Sequence, residues 1–89
     1  MHFEWDRAKA ASNRRKHNVA FVEAMSVFYD PLCATFQDPD SPATEERLIT
    51  IGHSSLDRLL VVVHTEQDET IRIITARLAT AHERKRHES

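Results

Sequence analysis

The chain has 89 residues, 40% hydrophobic and 29% charged, with a formal net charge of −2 and one cysteine, Cys33. It is expected to form one small domain, residues 1–89, near the lower limit for a self-sufficient core. A lone cysteine excludes an intrachain disulfide and a thiolate zinc site, no apolar run approaches the ~20 residues of a membrane span, and no hydrophobic leader opens the chain, so a cytoplasmic location is expected.

Residues 2–5 read as a short alternating strand with Phe3 and Trp5 on one side. Asp6 is a helix N-cap residue, and residues 7–17 read as a helix whose apolar face is Ala8 and Ala11. Asn18 follows the basic turn of residues 14–17, where a left-handed C-cap and cations both suit the helix end. A second helix over residues 21–28 places Phe21, Ala24, Met25 and Phe28 on one core-facing stripe, and Asp30-Pro31 stops it. Residues 32–37 read as a strand, 38–44 (DPDSPAT) as a loop, 45–53 as a strand closed by the only glycine, Gly52, and 54–57 as a turn. Residues 58–65 (RLLVVVHT) are apolar on both faces, which predicts a central strand. After an acidic turn at 66–69, residues 70–86 combine a β-branched strand with a helix start. In the latter, Thr80 and Glu83 fit a capping box.

The predicted fold class is therefore α+β: an antiparallel sheet of four to five strands, two N-terminal helices and a C-terminal helix. The last four strands form a meander, with the helices on one face. Charge is unevenly laid out. Residues 1–19 hold five Lys/Arg and two acids, residues 20–69 two and ten, and residues 70–89 five and two. Basic ends that meet in space would form a positive patch for phosphate or an acidic partner.

A set of short motifs runs through nearly the whole chain in fixed order: FEWD (residues 3–6), Lys9…Asn13…Lys16-His17, Asp30-Pro31, EER (45–47), IGxS (51–54), Arg58-Leu59…Val62-Val63, and IRIITAR…AT…E (71–83). In this the chain resembles the BrnT family of type II toxins, RelE-like ribonucleases. The resemblance implies a cytoplasmic, translation-inhibiting endoribonuclease that needs no metal or other cofactor. It also implies neutralisation by a BrnA-like ribbon-helix-helix antitoxin in a two-plus-two complex that reaches operator DNA only through the antitoxin. Asn18, Ala20 and Asp57 depart from the family pattern, which has Gly, Ser and Gly there. Those departures bear on caps and turns more than on the site.

Metal-free RNA cleavage uses the RNA's own 2′-hydroxyl. It needs a proton acceptor, donors for the growing phosphate charge and help for the leaving 5′-oxygen. Arg47, Arg58, Arg72 and Arg77 lie on three predicted neighbouring strands and are placed to converge on phosphate, which a guanidinium binds bidentately. His17 or Glu46 would move the proton, and Lys16 would add a phosphate contact. Each has a plainer role open to it. His17 complements a helix dipole. Arg72 and Arg77 pair with Glu45, Glu46 or Asp6. Glu46 and Arg47 form a cross-strand ion pair, and residues 84–86 are a solvated helix end. The six histidines show no HExxH or i, i+4 pair, and no glycine-rich phosphate loop or nucleophile elbow is present. The alternative function is a non-catalytic module of the same fold that only holds an antitoxin or repressor partner.

Overall fold

Local chemistry sets most element boundaries. In the computed structural model, which describes residues 1–88, the elements are β1 (His2–Glu4), α1 (Arg7–His17), α2 (Phe21–Ser26) with a single 3-10 turn after it (Val27–Tyr29), β2 (Ala34–Gln37), β3 (Leu48–His53), β4 (Leu59–Gln67), β5 (Thr70–Leu78) and α3 (Ala81–Glu88). The Asp6 carboxylate accepts from the Lys9 backbone N–H at 3.1 Å and starts α1. Asn18 ends it at φ 55°, ψ 36°, a left-handed geometry that asparagine tolerates. Ala20 caps α2 without a side-chain bond, as its missing hydroxyl dictates. At α3 the capping box closes both ways: Glu83 N–H donates to Thr80 Oγ1 at 3.1 Å, and Thr80 N–H to Glu83 Oε1 at 2.8 Å.

The five strands form one sheet in the order β1-β5-β4-β3-β2, so the doubly apolar β4 is central. β2 to β5 are an antiparallel meander, whereas β1 adds to the outer edge of β5 in parallel, His2 opposite Thr70 and Glu4 opposite Arg72. The sheet is thus mixed. Parallel pairing is possible because α1 and the rest of the chain separate β1 from β5, a crossover that a hairpin cannot supply.

Side chains alternate across β4. Leu60 and Val62 join Phe21, Ala24 and Val27 in the main core, together with Ile71, Ile73 and Ala76 of β5. Leu59 and Val61 belong to a second, smaller cluster with Ile51 on the opposite face. The Phe21–Phe28 stripe packs into the main core as its helical spacing requires. Helix α1 differs from expectation: Ala8 and Ala11 are exposed, and Ala10 with Asn13 faces inward. A short β1 explains the buried asparagine. Among the described residues no strand lies beside the outer edge of β5 beyond Arg72. Asn13 takes that place, donating to the Ala76 and Val19 carbonyls at 2.8 and 3.0 Å and accepting from the Ala76 N–H at 3.1 Å.

The helices are not all on one face. α1 and α2 cover the main core, while α3 crosses to the other side and lies over one end of the Ile51–Val61 cluster. Among the described residues no helix is long and apolar enough to cross a membrane.

Candidate active site

With α3 over only one end of the second sheet face, a groove of about 580 Å³ is left open. Its floor is apolar, from Ala34 and Phe36 of edge strand β2, Ile49 and Ile51 of β3, and Val61 of β4. At the α3 end it is walled by Arg77, Glu83, Arg86 and His87, and at the other end by Pro39. Arg77 faces the floor because it stands opposite Val61, which stands opposite Ile51. Phe36 is 51% exposed, a large aromatic presented to solvent on a groove whose basic residues stand at the α3 end.

Arg77 and Glu83 make a bidentate pair, Nη1 to Oε1 at 2.7 Å and Nη2 to Oε2 at 2.9 Å, and Arg77 Nη1 also donates to the Leu78 carbonyl at 3.2 Å. These hydrogen bonds, assisted by the Thr80 N–H, hold the Glu83 carboxyl down to about 2 and push the Arg77 guanidinium up. The capping box therefore also fixes the direction of Arg77: the carboxylate that starts α3 orients the guanidinium at the groove wall.

The other sequence candidates stand elsewhere. Arg58 lies behind the sheet, where Nε donates to Glu23 Oε2 at 2.9 Å, Nη2 to Glu23 Oε1, and Nη2 to the Asn18 carbonyl at 3.1 Å. Glu23 is 7% exposed and also accepts from Ser54 Oγ at 2.6 Å. The Arg58 bond, more than the Ser54 bond, keeps its carboxyl below the usual range against the cost of burial. Arg72 sits at the far end of β5, 3.5 Å from Glu4 on β1, with both side chains about half exposed. Arg47 precedes β3 at the groove's Pro39 end. Its Nη2 donates to the Asp40 carbonyl at 3.0 Å, and Nε lies 3.8 Å from Asp38. Glu46 accepts from Gln37 Nε2 at 3.2 Å rather than pairing with Arg47. Lys16 and His17 are exposed on the last turn of α1. The arginines thus close on Asp38, Glu23, Glu4 and Glu83 in turn, not on one shared point; the expected partners Glu45 and Glu46 are not the ones used, and Asp6 feels Arg72 only as a weaker attraction beside its own cap bonds. Arg47 and Arg72 lie near one end of the strands and Arg77 near the other.

Two groove-side histidines escaped sequence reasoning. His53 continues the alternate row Ile49, Ile51, His53 of β3, and its ring centroid lies 6.4 Å from that of His87 on α3. Considered only as metal ligands, they carried no motif; the alternate row on β3 was the available signal. Among the described residues no three His, Cys, Asp or Glu side chains are grouped to hold a metal ion.

Comparison with known proteins gives a consistent picture. The family model described as "Ribonuclease toxin, BrnT, of type II toxin-antitoxin system" matches residues 5–83. The fold is similar to the crystal structure of the Brucella abortus ribonuclease toxin BrnT, with a TM-score of 0.65 at 23% identity over 90% of this chain and 97% of that one. No curated protein sequence matches the chain.

Proposed function

The chain belongs to the BrnT family of ribonuclease toxins of type II toxin–antitoxin systems, and from that premise we propose that it cleaves RNA without a metal ion in the groove between the second sheet face and α3. The observation that carries this reading is the pairing of an apolar, aromatic floor with a cationic wall. Bases stack on exposed aromatic rings whatever their sequence, and Phe36 offers such a ring. Backbone phosphates then run along Arg77, Arg86 and His87 at one end, with Arg47 at the other. Arg77 is the principal transition-state donor. Three of its bonds go to Glu83 and Leu78, and a guanidinium has five N–H donors, so phosphate oxygens share or take over the fork.

Lys16 and His17 are outer backbone contacts, and Glu46 stands with Arg47 at the distal corner. Arg58 and Arg72 are assigned to structure. Arg58 offsets a buried carboxylate and ties the α1–α2 junction to β4, while Arg72 makes a surface pair of little energetic weight. Cleavage yields inhibition of translation in the cytoplasm. The antitoxin implied by the family is a BrnA-like ribbon-helix-helix protein whose free segment fills the groove, and dimerisation through its β-ribbon gives a two-plus-two complex that binds operator DNA.

A second reading has one observation behind it. The Arg77 fork already holds a carboxylate, which suits a module that binds a partner and cleaves nothing. Arg77→Ala and Arg77→Lys decide between them when melting temperature and RNA cleavage are measured side by side. The ribonuclease reading expects a folded Arg77→Ala protein with cleavage reduced ~100-fold or more, and partial recovery with lysine, which keeps charge but loses the fork. Wild-type cleavage by folded Arg77→Ala would remove Arg77 from the site, and loss that merely tracks unfolding would give it a structural role.

A further inference from the structure

We propose that His53 and His87 are the proton-transfer pair of the cleavage reaction, with Asp30 as the residue that positions His53. The inference deepens the ribonuclease reading and rests on it.

Phosphodiester cleavage by a 2′-hydroxyl needs two proton transfers at points on opposite sides of one phosphorus. A nitrogenous base reaches an oxygen at ~2.6–3.2 Å. Two imidazoles whose centroids are 6.4 Å apart can therefore bracket one phosphate, one ring at each oxygen. His87 lines the cationic end of the groove beside Arg77 and Arg86, and His53, which ends the Ile49–Ile51 row of β3, adjoins it through that ring pair. Arg77 on β5 and Glu83 and Arg86 on α3 line the groove with His87, and Asp30, from the corner after α2, interacts with both rings.

Asp30 is fixed for its role. Its Oδ1 accepts from the Leu32 N–H at 2.9 Å and its Oδ2 from the His53 N–H at 2.8 Å. The same Oδ2 lies 3.8 Å from His53 Nδ1. The two backbone bonds, and then the nearby His53 and His87, hold its carboxyl below the usual range, so it is ionised at neutral pH. The one glycine of the chain makes this possible. A Cβ on Gly52 would stand 2.8 Å from Cys33 Cβ and 3.1 Å from Asp30 Oδ2, and would push that corner off β3.

In the reaction one imidazole takes the 2′-OH proton as the 2′-oxygen bonds to phosphorus. The P–O5′ bond breaks, and the other, protonated imidazole gives its proton to the departing 5′-oxygen. The products are a 2′,3′-cyclic phosphate and a 5′-hydroxyl, with no net proton gained or lost.

The test uses the full chain and an RNA whose cleavage position is first mapped with wild-type protein. His53→Gln and His87→Gln are each expected to keep the wild-type melting temperature within a few degrees and to lose ~100-fold or more in rate. A second RNA carries sulfur in place of the scissile 5′-oxygen, so its leaving group needs no proton. It should restore the rate of whichever variant lacks the acid and leave the other slow. Asp30→Asn removes the charge and, with one acceptor oxygen in place of two, keeps only one of the two backbone bonds, so its melting temperature is measured beside its rate. It should lower kcat with KM unchanged, and Asp30→Glu should recover part of the loss. Wild-type rates in either histidine variant, or no selective rescue by sulfur, would overturn the pair while leaving the ribonuclease reading intact. A wild-type chain that cleaves no RNA would overturn both.

Discussion

Acidification from pH 7 to pH 4 should weaken the fold through one side chain, His64. It is fully buried under Phe28, whose ring lies edge-on at 4.9 Å. Nε2 bonds to Thr50 Oγ1 at 2.7 Å, and Thr50 in turn to Thr35 at 2.7 Å. Nδ1 is buried with no hydrogen-bond partner among the described residues. Burial disfavours the imidazolium and pushes the group down from 6.5 to about 4. The unfolded chain therefore binds a proton that the folded chain refuses. Stability is complete above pH 6.5, falls as the pH drops below it, and levels off near pH 4. Over that interval one proton costs about 3 kcal/mol, a large share of the ~5–15 kcal/mol typical of a domain. Glu66, 3.9 Å from Nδ1 and about half exposed, can offset only a little of this. The depressed carboxyls act lower down. Glu83, held to about 2, contributes stability that is lost as the pH falls below its unfolded value of 4.5 toward 2. The window from pH 6.5 to 4.5 is thus diagnostic of His64. Urea unfolding at half-unit pH intervals should show wild-type stability declining there and a His64→Leu variant nearly flat. Parallel decline of both proteins would refute the argument.

Asn13→Ala leaves both the N–H and the carbonyl of Ala76 without a partner in a buried place, so it should cost roughly 2–4 kcal/mol and lower the melting temperature by about 10 °C or more; a change under about 1 kcal/mol would show that β5 does not depend on this edge. For the antitoxin, light scattering of the co-purified complex should give two copies of each chain and retained operator binding, whereas a one-to-one complex without DNA binding would contradict the proposed assembly.

What could be read from the chain was local in origin. The Asp6 and Asn18 caps, the Phe21–Phe28 stripe, the two-sided strand at Leu59 and the Thr80–Glu83 box each depend on residues within a turn or two of one another. What could not be read depended on distant segments meeting. Nothing near Asn13 announces that β1 stops at Glu4 and leaves Ala76 to be satisfied. The inward choice of Ala10 over Ala8 and Ala11 follows from that same docking. Arg58 meets Glu23 across 35 positions, so its partner has no sequence signal. At the site, Arg77 was legible because it abuts a helix start. His53 and His87 were not, because they become neighbours only when α3 crosses to the second sheet face. Arg47 and Arg72 looked adjacent to Arg77 as strand positions, but the register and their own acidic partners hold them apart.

The central claim is tested most directly by incubating the purified chain with RNA in excess EDTA and analysing the ends of the products. The account predicts undiminished cleavage that leaves 2′,3′-cyclic phosphate and 5′-hydroxyl ends. Loss of cleavage in EDTA with recovery on adding a divalent ion, or products with 5′-phosphate ends, would contradict it.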